Sequence, residues 1–273
     1  MHLSLTAWSF PHLSLEEAAG VARTLGIPAI DVGTSYRPGL DKAEILADPG
    51  ASAARIRALG LRVANYYHHF GSGIADRNLA LPGTVDANVR DLERVLTFAD
   101  AADIPTVFFL PGIVNPGQSR REALEVAAES IGALLEVAKG FRAKICVEPI
   151  VRSFAESPAI VAELVDRTGV ALALDYSHFI CLGYTQEQVD PLARHAAHVH
   201  LRQARMGDLQ ARFAKGTINF PALFGHLRDT GYAGALAIEF VHQEFMNAFA
   251  EDVMTETVAM RDCFNEWMGG RTG

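Results

Sequence analysis

The sequence predicts an α/β fold, a single-domain (β/α)8 barrel in which eight parallel strands are surrounded by helices. Eight short apolar runs alternate with eight amphipathic stretches along the chain, as expected for repeated βαβ units. The runs are almost continuously apolar, which is typical of strands covered on both faces. The length of 273 residues also suits one such barrel, for which about 250 residues is typical.

The predicted elements follow one another in a regular order. The strands are expected at residues 3–7, 28–32, 61–67, 105–110, 144–148, 170–175, 197–201 and 235–240. The helices are expected at residues 14–26, 42–59, 84–102, 120–139, 157–167, 186–194, 220–230 and 249–267. Ser14 with Glu17 three residues later forms a capping box at the first helix, and Gly26 ends that helix.

The chain shows one rhythm from end to end, without an interior linker. We therefore predict one domain over residues 1–268, with residues 269–273 as a flexible tail. A doubly wound open sheet is the alternative architecture. It usually needs fewer units for this length, and no Gly-rich dinucleotide fingerprint follows any of the runs.

Composition narrows the class of protein. The net charge is −8, from 24 Lys and Arg against 32 Asp and Glu, so a general nucleic-acid binder is not expected. The first residues lack a basic segment followed by a long apolar one, so we expect no signal peptide and no membrane partner. The three cysteines are far apart and odd in number, which favours reduced thiols and a cytoplasmic location.

Four potential metal ligands lie at the ends of the last four apolar runs: Glu148, Asp175, His200 and Glu239. A parallel barrel brings the carboxyl ends of its strands to one mouth, so these side chains should meet there. Residues two apart in a strand share a face. Small or apolar residues precede the three acids at that spacing, which predicts an interior that is polar only in its last layer. The alternative is that each acid caps a helix or forms a surface ion pair.

The donor set also indicates the type of cation. Three carboxylates and one imidazole suit Mn²⁺ best, and Mg²⁺, Co²⁺, Zn²⁺ or Fe²⁺ are also compatible. A cation at the barrel mouth leaves room for a small hydroxylated substrate. The loop of residues 203–215 carries three basic residues that suit a phosphate, but it lacks a Gly-rich cradle. An unphosphorylated sugar or polyol is therefore the favoured substrate.

Further residues at the same rim are candidates for substrate contact. Trp8 would stack on the apolar face of a sugar, or else belong to the core. His69 rather than His68 is expected to face the mouth, as an acid/base or a partner for a hydroxyl, although a structural histidine fits equally well. Asp31 ends the second run, where it would either bind substrate or cap the next turn. Arg152 and Glu156 follow Glu148 and are either partners of the ligands or solvated surface charges.

Several motifs occur together with the four ligands. They are Asp175-Tyr-Ser-His178, Gly216-Thr-Ile-Asn-Phe220, Gly231-Tyr-Ala-Gly234 and Ile238-Glu239. With them the chain resembles the xylose isomerase-like TIM barrel superfamily over essentially its whole length. The closer resemblance is to its sugar phosphate isomerase/epimerase branch. These motifs are fairly specific to the superfamily but not to one substrate.

The resemblance implies roles for individual residues. Glu148 and Glu239 would be metal ligands that also move the substrate proton, and Asp175 and His200 would complete the metal site. His178 would contact substrate or a second metal. Arg202 would reach a substrate hydroxyl or a phosphate. Gln203 departs from the family, whose members often carry an acidic residue at this position, so no role is transferred to it.

The resulting hypothesis is a divalent-metal-dependent isomerase or epimerase that acts on a keto-sugar or keto-polyol through an enediolate. A lyase on the same barrel is the alternative, such as an inosose or dehydroshikimate dehydratase or a carbon–glycoside-cleaving subunit. An apurinic-site endonuclease needs histidines that are missing after Phe109 and in the strand-seven loop. A noncatalytic partner subunit would be expected to lack a ligand. The resemblance further implies a homo-oligomer, either a dimer or a tetramer.

Overall fold

The computed structural model describes residues 1–34, 40–242 and 252–270, and it confirms the (β/α)8 barrel. Eight parallel strands form a closed sheet in chain order, with β8 pairing back onto β1. The strands are β1 His2–Thr6, β2 Ala29–Gly33, β3 Arg62–Tyr67, β4 Thr106–Phe109, β5 Lys144–Val147, β6 Ala171–Asp175, β7 Ala196–Leu201 and β8 Ala235–Ile238.

Helices separate the strands and cover the outside of the barrel. They are α1 Leu15–Thr24, α2 Lys42–Ala47, α3 Pro49–Ala58, α4 Val85–Ala101, α5 Arg120–Ala138, α6 Pro158–Thr168, α7 Ser177–Ile180, α8 Gln186–Val189, α9 Phe220–Asp229 and α10 Val253–Gly269. Side-chain caps begin several of these helices. The capping box of Ser14 and Glu17 is present at α1, for example, with both reciprocal hydrogen bonds formed. None of the described helices is long and apolar enough to span a bilayer.

The prediction of a single helix at residues 42–59 is wrong, because two helices, α2 and α3, meet at Asp48 and Pro49. Proline has no backbone N–H to continue a helix, but it fits the first turn of a new one. The Asp48 side chain accepts a hydrogen bond from Ala51 N and caps that new helix. The helix expected at residues 186–194 is likewise shortened to α8, followed by a 3-10 segment that contains Pro191.

The last described helix ends later than expected. It runs over Val253–Gly269, so the first residue of the expected tail belongs to it. The expected beginning of this helix at residue 249 and the remainder of the tail at residues 271–273 lie outside the described residues.

The register of the sheet brings the ends of β5 to β8 together. Asp175 pairs with His200 across β6 and β7. Glu148 and Glu239 directly follow their strands, and their backbone N–H groups still donate to the neighbouring strands, to Phe109 O and Leu201 O, each at 3.0 Å. The backbone of both glutamates is therefore fixed by the sheet rather than free in a loop.

Most of the hydrophobic core fills the space between the strands and the helices. Inside the barrel, the expectation of polarity only in the last layer is wrong. Asp31, His198 and Asn65 are each at most 1% exposed, one layer below the strand ends. A buried polar side chain needs a hydrogen-bonding partner. Thr106 supplies one to Asn65 at 2.8 Å, and Ser4 supplies one to Asp31.

Candidate metal centre

The four predicted ligands converge at the carboxyl end of the barrel. Each of Glu148, Asp175, His200 and Glu239 is buried, and each offers a ligand atom within 4.8 Å of the others. His200 lies in the middle of this tetrad. Its Nδ1 is 2.6 Å from Glu148 Oε1 and 3.5 Å from Glu239 Oε2. The four side chains therefore form one cluster, as the strand-end pattern predicts.

Arg202 is the cation that balances part of this charge. Its Nη2 donates to Asp175 Oδ2 at 2.6 Å and lies 3.5 Å from Glu239 Oε2. Asp175 accepts a second hydrogen bond, from Ser177 N, at 2.8 Å. Arg202 is only 3% exposed, so the ion pair is shielded from water. Its hydrogen bond fixes the orientation of Asp175, and its charge attracts the Glu239 carboxylate.

Burial and neighbouring charges set the protonation of the tetrad. Burial raises the pKa of Glu148, against the opposing effect of His200. Burial would also raise the pKa of Asp175, but Arg202 and His178 hold it below its ordinary value. For His200, burial opposes the charged form, yet the Glu239 and Glu148 carboxylates raise the pKa overall. Both raised pKa values favour a bound proton, on Glu148 or on His200, which offsets part of the charge of the crowded carboxylates.

The tetrad fits a divalent cation on three grounds. Three buried carboxylates crowd around His200 in a site of low dielectric, and they raise the pKa of His200, so the cluster favours a bound positive charge that a metal ion would supply in place of a proton. Glu239 Oε2 is buried and makes no hydrogen bond to any described residue. Oxygen donors with one imidazole are a suitable set for Mn²⁺ or a related ion. Glu148, Asp175, His200 and Glu239 are the residues that would hold it.

A second cluster lies directly beneath the tetrad and was missed by the sequence reasoning. Asp31 Oδ2 is 2.6 Å from His198 Nε2 and 4.0 Å from His200 Nε2. The expectation that Asp31 binds substrate or caps a turn is therefore wrong, because it is fully buried inside β2. The alternation of His198 and His200 along β7 was the available signal.

A cavity of about 770 Å³ opens above the tetrad. Of the four ligands, Glu148 and Glu239 line it, whereas Asp175 and His200 lie beneath its floor. This volume is within the range of ordinary small-molecule sites, roughly 300–1,000 Å³. The two glutamates therefore have the access to a bound molecule that proton transfer requires.

Three of the predicted substrate contacts, His69, His178 and Arg202, line the same cavity. Burial, with a smaller effect of Lys42, lowers the pKa of His69 to about 4, so its ring is neutral near pH 7. The Nδ1 atom of His178 accepts a hydrogen bond from Val151 N at 3.3 Å. His178 is thereby oriented by the loop that follows β5.

Trp8, the fourth predicted contact, is not among the residues that line the cavity. It is 4% exposed and packs against Tyr67 and Phe108. Its indole Nε1 donates to Glu239 Oε1 at 2.7 Å. Trp8 thus fixes one oxygen of Glu239, and its ring forms part of the inner core rather than an exposed platform.

Gln203, where the sequence departs from the resembled family, has a structural place. Its amide contacts four backbone groups of the loop between β7 and α9, including Ile218 N at 3.0 Å and Ile218 O at 3.2 Å. The basic residues of that loop do not form a cluster comparable to the tetrad, since Arg205 pairs with Asp208 at 3.2 Å. Glu156 pairs with Arg120 rather than with a tetrad residue.

Comparison with known proteins agrees with this architecture. A family model described as xylose isomerase-like TIM barrel matches residues 19–262. The chain is 28% identical over 170 residues to a 2-oxo-tetronate isomerase of Haemophilus influenzae, covering 59% of this chain and 65% of that protein. It is 23% identical over 181 residues to an inosose isomerase of Halalkalibacterium halodurans, covering 61% and 64%.

The match thus spans slightly under two thirds of the length of both relatives. Among solved structures, an L-ribulose 3-epimerase superposes with a TM-score of 0.76 at 20% identity, over 98% of this chain and 95% of that one. This likeness concerns the fold. The strands that carry the tetrad are thus part of a widely shared framework.

Proposed function

Because the chain belongs to the xylose isomerase-like TIM barrel family, we propose that it is a divalent-metal-dependent isomerase or epimerase of small hydroxylated carbonyl compounds. The proposed substrate is a keto-sugar or keto-polyol, and the reaction passes through an enediolate. The observation that supports this most directly is that Glu148 and Glu239 both reach the cavity while belonging to the tetrad. The names of the relatives, isomerases of a 2-oxo-tetronate and an inosose, agree with this class.

The two glutamates are suited to move a proton between substrate carbons. Their ligand atoms lie within 4.8 Å of each other, and both residues line the same cavity. One carboxylate takes the proton from the carbon next to the carbonyl, and the other returns it. Return to the opposite face gives an epimer, whereas return to the neighbouring carbon gives an isomer.

The surrounding side chains position these carboxylates and the substrate. Trp8 holds Glu239 by one oxygen, and Arg202 keeps Asp175 ionised. A divalent cation bound by the tetrad would act as a Lewis acid that polarises the carbonyl and stabilises the enediolate. His69, neutral near pH 7, and His178 line the cavity and are placed to hydrogen-bond substrate hydroxyls.

The experiment that tests this proposal is a screen of keto-sugars and keto-polyols in heavy water with added Mn²⁺. We expect exchange of a carbon-bound proton, followed by NMR, that stops on chelation and returns with metal. Glu148→Gln and Glu239→Gln are each expected to reduce the rate by about 10²–10⁴. Glu136→Gln, on the exposed face of α5, is the matched control and should leave the rate unchanged.

The outcomes separate the alternatives. Exchange without loss of water supports an isomerase or epimerase, whereas a dehydrated product supports the lyase. Undiminished exchange after full metal removal would refute metal dependence. The nuclease alternative has no support in the strand ends, because β4 is followed by Leu110 and the strand-seven loop contains no histidine.

A further inference from the structure

The charges that line the cavity are unevenly paired. Among the described lining residues, the carboxylates are Glu148 and Glu239, both members of the tetrad. The guanidinium and ammonium groups are those of Arg202, Lys42 and Arg152. Arg202 is neutralised by Asp175, as described above. Lys42 and Arg152 therefore need a separate explanation, in a chain whose net charge is −8.

Lys42 begins α2 and reaches into the loop after β3. Its Nζ donates to His69 O at 3.2 Å and also to Gly71 O. Both acceptors are neutral carbonyls, and no carboxylate of the described residues forms an ion pair with this ammonium. An ammonium has three N–H donors, so one remains for a further acceptor. Burial lowers the pKa of Lys42, as expected for a partly desolvated cation without a carboxylate partner.

Arg152 lies in the loop after β5 with a backbone φ of 66°, a left-handed conformation that is uncommon for a residue with a Cβ atom. Such a conformation persists where the surrounding contacts enforce it, and it often marks a functional site. Here the backbone N–H of Arg152 donates to Glu156 Oε1, while Glu156 also pairs with Arg120. The guanidinium of Arg152 makes no hydrogen bond or ion pair with any described residue.

We propose that Lys42 and Arg152 form an anion subsite of the cavity, which binds a carboxylate or phosphate carried by the substrate. This inference rests on the proposed function for the chemistry at the tetrad, and it adds the class of substrate. A guanidinium binds such oxyanions through paired N–H donors, and an ammonium binds them as a point charge. The rest of the wall is largely apolar, including Leu110, Ile113 and Val114. Lys42 is half-buried and Arg152 is exposed, so the first is partly shielded from water and the second is accessible to an incoming anion.

Binding of unreactive ligands tests the subsite without requiring catalysis. Ribitol, ribitol 5-phosphate and ribonate share a carbon chain and differ in their terminal group, and none of them can enolise. Calorimetry with the Mn²⁺-loaded protein is expected to give at least one anionic ligand an affinity about tenfold above that of ribitol. Comparing the affinities of ribitol 5-phosphate and ribonate then identifies which anion the subsite prefers.

Variants assign the preference to the two residues. Arg152→Gln is the decisive change, because its guanidinium has no other described partner to lose, and it should reduce the preference about tenfold. Lys42→Gln should reduce it similarly. Lys139→Gln removes an exposed lysine of α5 that pairs with Glu136, and should preserve the preference. Equal affinities for the three ligands, or a preference that survives Arg152→Gln and Lys42→Gln together, would overturn the proposal.

A catalytic arm separates this proposal from the proposed function. Fructose, fructose 6-phosphate and fructuronate differ only at their last carbon, and each can exchange a proton next to its carbonyl. Anion-selective binding without exchange on any substrate supports the subsite and contradicts the isomerase. Exchange at equal kcat/KM on all three supports the isomerase and contradicts the subsite.

Discussion

Asp31 and His198 meet in the barrel interior, where Oδ2 of the first lies 2.6 Å from Nε2 of the second. The same oxygen lies 4.0 Å from Nε2 of His200, whose Nδ1 faces the tetrad. Ser4 Oγ donates to the other Asp31 oxygen at 2.5 Å, which fixes the carboxylate. A carboxylate behind a metal-ligating histidine sets the tautomer and the orientation of its ring.

The first prediction concerns Asp31→Asn. The Asp31 carboxylate is 4.0 Å from His200 Nε2, too far for a hydrogen bond, so it acts on the ring through its charge. Loss of that charge should reduce the electrostatic preference for a proton on Nε2, which leaves Nδ1 free to bind a metal ion. We expect the Kd for Mn²⁺, measured by calorimetry, to rise about 10–100-fold. Thr106→Val is the control from the same interior layer, since Thr106 bonds Asn65 and not the histidines. It should lower stability without changing the Kd, and an unchanged Kd in Asp31→Asn would contradict the positioning role.

The second prediction concerns Trp8→Phe, which removes the hydrogen bond to Glu239 Oε1 but keeps an aromatic ring against Phe108. Glu239 should then sample more orientations, so kcat for proton exchange is expected to fall about tenfold with KM little changed. A rise in KM at unchanged kcat would instead indicate direct substrate binding by Trp8. Trp267→Phe, in a cluster with Phe224 on the outside of the barrel, is the matched control.

The tetrad was predictable because it depends on two regular features, strand ends and the common mouth of a parallel barrel. The contact between Asp31 and His198 in the barrel interior was not predictable. The two residues come from β2 and β7, which are not neighbours in the sheet. Alternation along a strand tells which residues face inward. The tilt and stagger of the strands decide which of them meet across the barrel.

Trp8 illustrates a second limit. The sequence places an aromatic residue at the end of the first run, but burial there depends on the later strands. Tyr67 and Phe108, on β3 and β4, contact the indole and cover it, and Glu239 takes its N–H. The lack of a carboxylate partner at Lys42 and Arg152 could not be predicted either. Whether a cation forms an ion pair depends on which residues the fold places beside it.

The third prediction concerns Gly216→Ala in the loop between β7 and α9. A Cβ atom at residue 216 would lie 2.1 Å from Cγ of Gln203, whose amide is tied to Ile218. The side chain cannot move without breaking these bonds, so the free energy of unfolding should fall by about 1–3 kcal/mol. Denaturant titration measures the change.

Two further variants isolate the cause. Gln203→Ala combined with Gly216→Ala should cost less than the sum of the single changes, because the clash disappears with the Gln203 side chain. Gly225→Ala is the control within α9, where a Cβ atom meets nothing within 4 Å. It should be neutral or stabilising by up to about 1 kcal/mol, as expected for alanine replacing glycine in a helix. Strict additivity of the first pair would contradict the proposed clash.

The last prediction is a pH dependence of stability that originates at His68. Burial, together with the nearby charge of Lys42, lowers the pKa of His68 to about 3. The unfolded chain therefore takes up a proton as the pH falls below about 6.5, whereas the folded protein does not until the pH approaches 3. Stability from this group is complete above the unfolded pKa and is lost progressively as the solution becomes more acidic.

His68→Leu isolates this contribution from that of the carboxylates, which also titrate in acid. The Nε2 atom of His68 is buried without a described hydrogen-bond partner, and Nδ1 makes one long hydrogen bond of 3.5 Å with Tyr66 OH. Leucine removes that bond at every pH, so its cost shifts the whole profile without changing the pH dependence. Between pH 7 and pH 4.5, wild type should lose about 2–3 kcal/mol more than His68→Leu in the free energy of unfolding. His12→Gln, at an exposed position, should follow the wild-type profile. Parallel profiles for wild type and His68→Leu would mean that His68 has the same pKa in the folded protein as in the unfolded chain, and would contradict the prediction.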